Sequence, residues 1–72
     1  MKLGVGIVGT GWVAGEHIRA FSTHPDTEVR ALCSREAARG RARAREYGLE
    51  CEVFTDYAKM LARDDIQAVA IA

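Results

Sequence analysis

Two glycines one residue apart, Gly9 and Gly11, run directly into Trp12, Val13 and Ala14. Of the whole chain, this stretch has the residue types and spacing that most clearly imply chemistry. A glycine at the first position permits a tight turn. A glycine at the second leaves bare backbone where a ligand can approach, and the small Ala14 lets a following helix lie close to the strand before it. The backbone N–H groups of Trp12 and Val13 would open that helix, free to donate and at the positive end of its dipole, which suits a pyrophosphate. The literal pattern G-x-G-x-x-G also occurs at Gly4, Gly6 and Gly9, but that register places its first two glycines inside a strand. The working register is therefore Gly9-Thr10-Gly11-Trp12-Val13-Ala14. A glycine turn needed only for packing is the competing reading, and strand-before, helix-after context favours the ligand. Trp12 either walls the ligand pocket or covers the helix start.

A second group lies about twenty residues on, where a second strand would end. A carboxylate at that place accepts hydrogen bonds from the free 2′-hydroxyl of NAD. Here the chain reads Cys33-Ser34-Arg35, with no carboxylate until Glu36. Ser34 can donate to a phosphate oxygen, and Arg35 can stack on adenine and pair with a 2′-phosphate. Arg39, expected one turn along the same helix face, could reach the same phosphate. These residues point to NADP in preference to NAD. The remaining arginines of the run, Arg41, Arg43 and Arg45, read as a solvated helix face.

The elements that must hold these groups follow from periodicity. Lys2 to Val8 reads as a strand with Leu3, Val5 and Ile7 on one face and Gly4, Gly6 and Val8 on the other, the glycines letting a helix backbone pack closely. Trp12 to Phe21 reads as a helix with Ala14, Ile18 and Phe21 as its apolar stripe, ended by His24-Pro25-Asp26. Glu28 to Cys33 is a second strand. Ser34 is a plausible N-cap for a helix from Arg35 to Tyr47, whose face is Ala37, Gly40, Ala44 and Tyr47, with Gly48 as its C-terminal cap. Glu50 to Phe54 is a third strand. Thr55 can cap a helix from Asp56 to about Arg63 with Tyr57, Met60 and Leu61 inward. Asp64-Asp65 turns into a fourth strand, Ile66 to Ala72. This β-α-β-α-β-α-β alternation argues for a parallel sheet with right-handed crossover helices.

Composition narrows the partners. The 72 residues are at most one small domain, 49% hydrophobic and 28% charged, with formal net charge zero. That balance offers nothing to nucleic acid or to a membrane surface, and no apolar run approaches the roughly 18 residues of a membrane span. The N-terminal run is glycine-broken and reads as a strand rather than a signal peptide. Cys33 and Cys51 form neither a disulfide framework nor a CxxC motif and read as reduced, mostly buried thiols of a cytoplasmic protein. His17 and His24 read as surface residues, too few for a metal site.

Taken together, GIVGTGWVAGEHIRAF, ALCSREAARGRARAREYGL and VFTDYAKMLARDDIQAVAIA resemble the N-terminal part of the Gfo/Idh/MocA oxidoreductase family. The Ser-Arg after the second strand, the Tyr-Gly closing the second helix and the Tyr-x-x-Met-Leu before Asp-Asp-Ile-Gln-Ala-Val carry the resemblance more specifically than the glycines. It implies a three-layer α-β-α Rossmann domain, sheet order 3-2-1-4, here cut after the fourth strand, followed in full-length members by a substrate domain that often forms an oligomer interface. It implies a pyrophosphate loop of Gly9, Thr10, Gly11, Trp12 and Val13. It places Ser34, Arg35 and Arg39 at the 2′-phosphate and Ala72 at the threshold of a loop past the riboses. It implies hydride transfer to or from a sugar, polyol or related substrate. The family's catalytic lysine, in a Glu-Lys-Pro motif, would follow Ala72, so no catalytic residue is assigned, and the 72 residues alone are expected to be inactive. A non-catalytic dinucleotide-binding module is the alternative. The apolar fourth strand is expected to be a bare edge that invites pairing or oligomerisation.

Overall fold

The computed structural model describes residues 2–9 and 11–71, except the side chains of Trp12 and Val13. Its elements are β1 (Leu3–Val8), α1 (Trp12–Thr23), β2 (Thr27–Cys33), α2 (Ala37–Glu46), β3 (Glu52–Phe54), α3 (Tyr57–Leu61) and β4 (Ala68–Ile71). The four strands form one parallel sheet in the order β3-β2-β1-β4. The parallel sheet is the one the alternation predicts, and its Rossmann-type order is the one the family resemblance implies.

Two apolar clusters fill the two faces of the sheet. Val5, Ile7, Val29 and Leu32 pack with Ala14 and Ile18 of α1 and Ala44 of α2. Ala31 and Cys33 pack with Met60 of α3, joined by Val8, Phe54, Ile66 and Val69. The register between β1 and β2 shifts after Val5 pairs with Val29, so that Gly6 pairs with Ala31. Arg30 is thereby left out of the pairing, and Val29 and Leu32, three apart, share one face. Simple alternation does not anticipate this.

The close approach at the β1 glycines is not made by a helix backbone, as the strand pattern suggests. A Cβ on Gly4 would overlap the carbonyl oxygen of Asp65, in the connection before β4, and one on Gly6 would lie 3.0 Å from the Met60 side chain. Gln67 secures the same region: its N–H donates to the Gly4 carbonyl at 2.9 Å, and its Oε1 accepts from the Gly4 N–H at 2.6 Å. These bonds precede the regular strand, so β4 starts at Ala68 rather than Ile66.

Helix boundaries differ from expectation for local reasons. Ser34 is not the α2 cap. Its N–H still donates to the Phe54 carbonyl at 2.9 Å, extending the β2–β3 ladder, so the chain needs two more residues to turn, and Glu36 occupies the cap position. The end of α2 fits expectation. Gly48, at φ +66°, lets its own N–H reach Arg45 O (3.2 Å) and the Leu49 N–H reach Ala44 O (2.8 Å), a Schellman closure. Asp56, not Thr55, caps α3, its Oδ1 accepting from the Ala58 N–H at 3.0 Å. Of the three residues expected to face inward on α3, only Met60 is buried; Tyr57 and Leu61 are exposed. A five-residue helix lying on a parallel sheet has room to bury little more than one side chain.

At the end of the sheet opposite the glycine turn, arginines tie the connections together. The Arg63 guanidinium donates to both carboxylate oxygens of Asp65, lies 3.6 Å from Glu52 and sits over the Phe54 ring at 5.8 Å. Arg30 donates to Glu28 and to the Asp65 carbonyl, each at 2.9 Å. The hydrogen bonds from Arg63 hold the Asp65 carboxyl below the usual carboxylate range. A depressed folded-state value stabilises the fold above the unfolded carboxyl's pKa of about 3.9 and is lost as pH falls through the folded value. Urea melts between roughly pH 5 and pH 2 should therefore show the parent chain losing more stability than Asp65→Asn. Parallel acid limbs would remove the pair from the account.

Candidate functional site

Because all four strands run parallel, their carboxyl ends gather along one edge. The chain crosses from one sheet face to the other about β1, which lies between β2 and β4. Open α/β sheets bind ligands at this switch point. β1 ends at Val8 and the turn begins at Gly9, whose φ of +111° is a conformation side chains resist. The Gly9 N–H donates to the Cys33 carbonyl at 2.8 Å, pinning the turn to the end of β2.

Gly11 is the N-cap of α1 and makes no side-chain cap. Its φ of −74° is open to any residue, and a Cβ placed there would meet nothing within 4 Å. Neither backbone strain nor packing against the described residues accounts for a glycine here. Among the described residues the first intrahelical bond near the turn runs from the Gly15 N–H to the Gly11 carbonyl, and the N–H groups that open a helix suit an anion. Thr10 and Ala72 lie outside the described residues, as do the side chains of Trp12 and Val13.

A cleft of about 310 Å³ joins the three strand ends, lined by Val8, Gly9, Cys33, Ser34, Arg35, Thr55 and Tyr57. Gly9, Ser34 and Arg35 are thus brought together as the sequence expects. Arg39 is not among them. It lines a separate concavity on the outer surface of α2 with Ala42, Arg43 and Glu46. The physical reason is the late start of α2: Arg35 lies in the bend before the helix and Arg39 within it, so the two do not share a helix face. Both are exposed, and neither makes an ion pair with the described residues.

Ser34 is buried, and its hydroxyl donates to the Glu36 carbonyl at 2.6 Å. It braces the bend that presents Arg35, and a phosphate would have to draw the hydroxyl away from that carbonyl. Gly40 lets α2 sit against this bend, since a Cβ there would overlap the Val53 side chain and lie 3.0 Å from Ser34 Oγ. Burial, with the Asp56 carboxylate adding to it, pushes the Cys33 thiol up from its ordinary value, so the floor of the cleft is a neutral thiol. Thr55 and Tyr57 were not among the sequence candidates. The signal that could have found them is topological: residues that follow any strand of a parallel sheet reach this edge. Among the described residues no three His, Cys, Asp or Glu side chains converge as a metal site requires, and no helix is long and apolar enough to cross a membrane.

A glycine turn at the switch point of a 3-2-1-4 sheet is matched by a direct comparison. The family model for the Gfo/Idh/MocA group, described as an oxidoreductase family with an NAD-binding Rossmann fold, covers residues 3–72. The chain belongs to the Gfo/Idh/MocA family. An inositol 2-dehydrogenase of Salmonella paratyphi B is 33% identical over 72 residues, which are 99% of this chain and 21% of that protein. An inositol 2-dehydrogenase of Burkholderia cenocepacia is 31% identical over the same share. Among solved structures, the myo-inositol dehydrogenase of Lactobacillus casei in complex with NAD(H) and myo-inositol superposes with a TM-score of 0.92 at 29% identity, over 100% of this chain and 22% of that one. A 3-ketoreductase of Actinomadura kijaniata in complex with NADP gives 0.84 at 31%, over 96% and 22%. The Gfo/Idh/MocA segment described here therefore spans about a fifth of the length of the relatives it matches.

Proposed function

We propose that this chain is the N-terminal half of the dinucleotide-binding domain of an NADP(H)-dependent oxidoreductase acting on a sugar, polyol or related substrate. The observation that carries the cofactor choice is the lining of the cleft at the strand ends: it holds the Arg35 guanidinium, which makes no ion pair with the described residues, and no carboxylate, the nearby Asp56 lying outside the lining. A 2′-phosphate is favoured by the first and a free 2′-hydroxyl is disfavoured by the lack of the second. Solved relatives hold either NAD(H) or NADP, so the choice rests on the residues of this chain. The substrate class is supported by the inositol dehydrogenases among the relatives.

In this reading Gly9 and Gly11 leave the helix start bare, and the N–H groups of Thr10, Trp12 and Val13 take the pyrophosphate oxygens. Arg35, braced by the Ser34–Glu36 hydrogen bond, pairs with the 2′-phosphate. Arg39 adds positive field from α2, and Ala72 leads into the segment beside the riboses. The bound nicotinamide would carry the hydride, which is the cofactor's own chemistry. The β4 edge, with Ile71 69% exposed, supports cover by a further strand or by another subunit of an oligomer.

Titration of NADPH and NADH, followed by quenching of Trp12, the only tryptophan, tests the cofactor choice. Arg35→Ala is expected to weaken NADPH about 10- to 150-fold, the range for a charge-assisted hydrogen bond, and NADH far less. Arg39→Ala is expected to have a smaller effect of the same sign. Equal losses for the two dinucleotides would refute the 2′-phosphate assignment.

A further inference from the structure

Tyr57 is one of four large apolar side chains that the fold leaves exposed among the described residues, with Leu3, Leu61 and Ile71, and the one of them that is aromatic. It opens α3, yet it is 41% exposed while Met60 supplies the buried contact of that helix. Its ring stacks on no other ring among the described residues. It lines the strand-end cleft together with Arg35. The cleft runs across the sheet from Gly9 after β1, past Ser34 and Arg35 after β2, to Thr55 and Tyr57 after β3. With neighbouring strands about 4.8 Å apart, Tyr57 follows a strand roughly 10 Å from the glycine turn. A nucleotide whose phosphates rest on that turn and whose ribose meets Arg35 therefore directs its base toward β3. An exposed aromatic ring and a guanidinium plane on one cleft are the two side-chain types that hold a base by its faces.

We propose that Tyr57 binds the adenine ring of the cofactor by stacking, with the Arg35 guanidinium on the other side of the cleft. The proposal rests on the dinucleotide reading above. It makes Tyr57 a base-binding residue that favours neither NADP nor NAD, because adenine is common to both.

The full chain and its Tyr57→Phe, Tyr57→Leu and Arg35→Ala variants, each checked by thermal melting, are titrated with NADPH and NADH. Tyr57→Phe keeps the ring and is expected to bind both within about twofold of the parent. Tyr57→Leu keeps apolar bulk without the π-face and is expected to weaken both by a similar factor, about 5- to 150-fold. Arg35→Ala changes the ratio between them. In the parent chain, NADPH is expected to move the ring-proton resonances of Tyr57 upfield, which needs no variant to fold. Parent-like binding by Tyr57→Leu, a loss confined to NADPH, a Tyr57→Phe as weak as Tyr57→Leu, or an unmoved Tyr57 resonance in a chain that binds NADPH would each overturn the stacking role while leaving the dinucleotide reading intact. A parent chain that binds neither dinucleotide overturns both.

Discussion

Gly11→Ser is expected to make the fold slightly more stable and the dinucleotide site much weaker. Gly11 occupies the N-cap of α1 with backbone angles any residue can adopt, and a Cβ there meets nothing. Serine is a better N-cap than glycine by a few tenths of a kcal/mol, because its oxygen accepts from an N–H in the first helical turn. That same N–H is one the pyrophosphate would use, and the side chain would stand in the space the phosphate needs. Forcing a side chain into an occupied site costs about 1–3 kcal/mol, or roughly 5- to 150-fold in Kd. Gly9→Ser is the contrast. At φ +111° it should cost about 1–3 kcal/mol of stability outright. Paired thermal melts and NADPH titrations separate the two glycines. A Gly11→Ser chain that binds NADPH as the parent does would remove Gly11 from the pyrophosphate site.

Met60→Ala is expected to be the most damaging of the core truncations on the α3 face, at about 2–5 kcal/mol in urea melts. A chain of this size has roughly 4–11 kcal/mol in total, so the variant would lose a large share of it and, at the low end of that range, be near or past its midpoint in water. Met60 is fully buried, and among the described residues the other buried members of its cluster are Ala31 and Cys33. The sheet beneath it presents Gly6, which has no side chain to relax into the vacated volume. Met60→Leu conserves volume and should cost under about 1.5 kcal/mol. An alanine variant as stable as the leucine one would show that the α3 face adds little to the fold.

Much of this molecule is legible in its residues. The order of elements follows from hydrophobic period and from the turn residues between them. The tight turn at Gly9 follows from its place between a strand and a helix, and the Gly48 closure from its place after Tyr47, which caps α2. The α2 start was not legible, because whether Ser34 leaves the strand depends on a hydrogen bond to Phe54, twenty residues away in sequence. The same bond decides that Arg35 lies in a bend and that Arg39 lines another surface. Tyr57 opens the Tyr-x-x-Met-Leu stretch of the family resemblance, but neither it nor Thr55 carries a ligand-binding signal of its own; they join the cleft only because β3 lies beside β2.

What the sequence by itself determined is therefore the local order: which segments are strands and helices, where the chain turns on glycine between a strand and a helix, and which basic residues stand near the end of β2. These depend on side-chain period, on glycine's lack of a Cβ and on charge, all of which act over a few residues. Only the tertiary structure decided the register shift that excludes Arg30 from the β1–β2 pairing, the clasp of Gln67 and Asp65 around Gly4, and the company that Arg35 keeps. Those depend on pairing between distant strands, where a shift of one residue exchanges the faces of a strand.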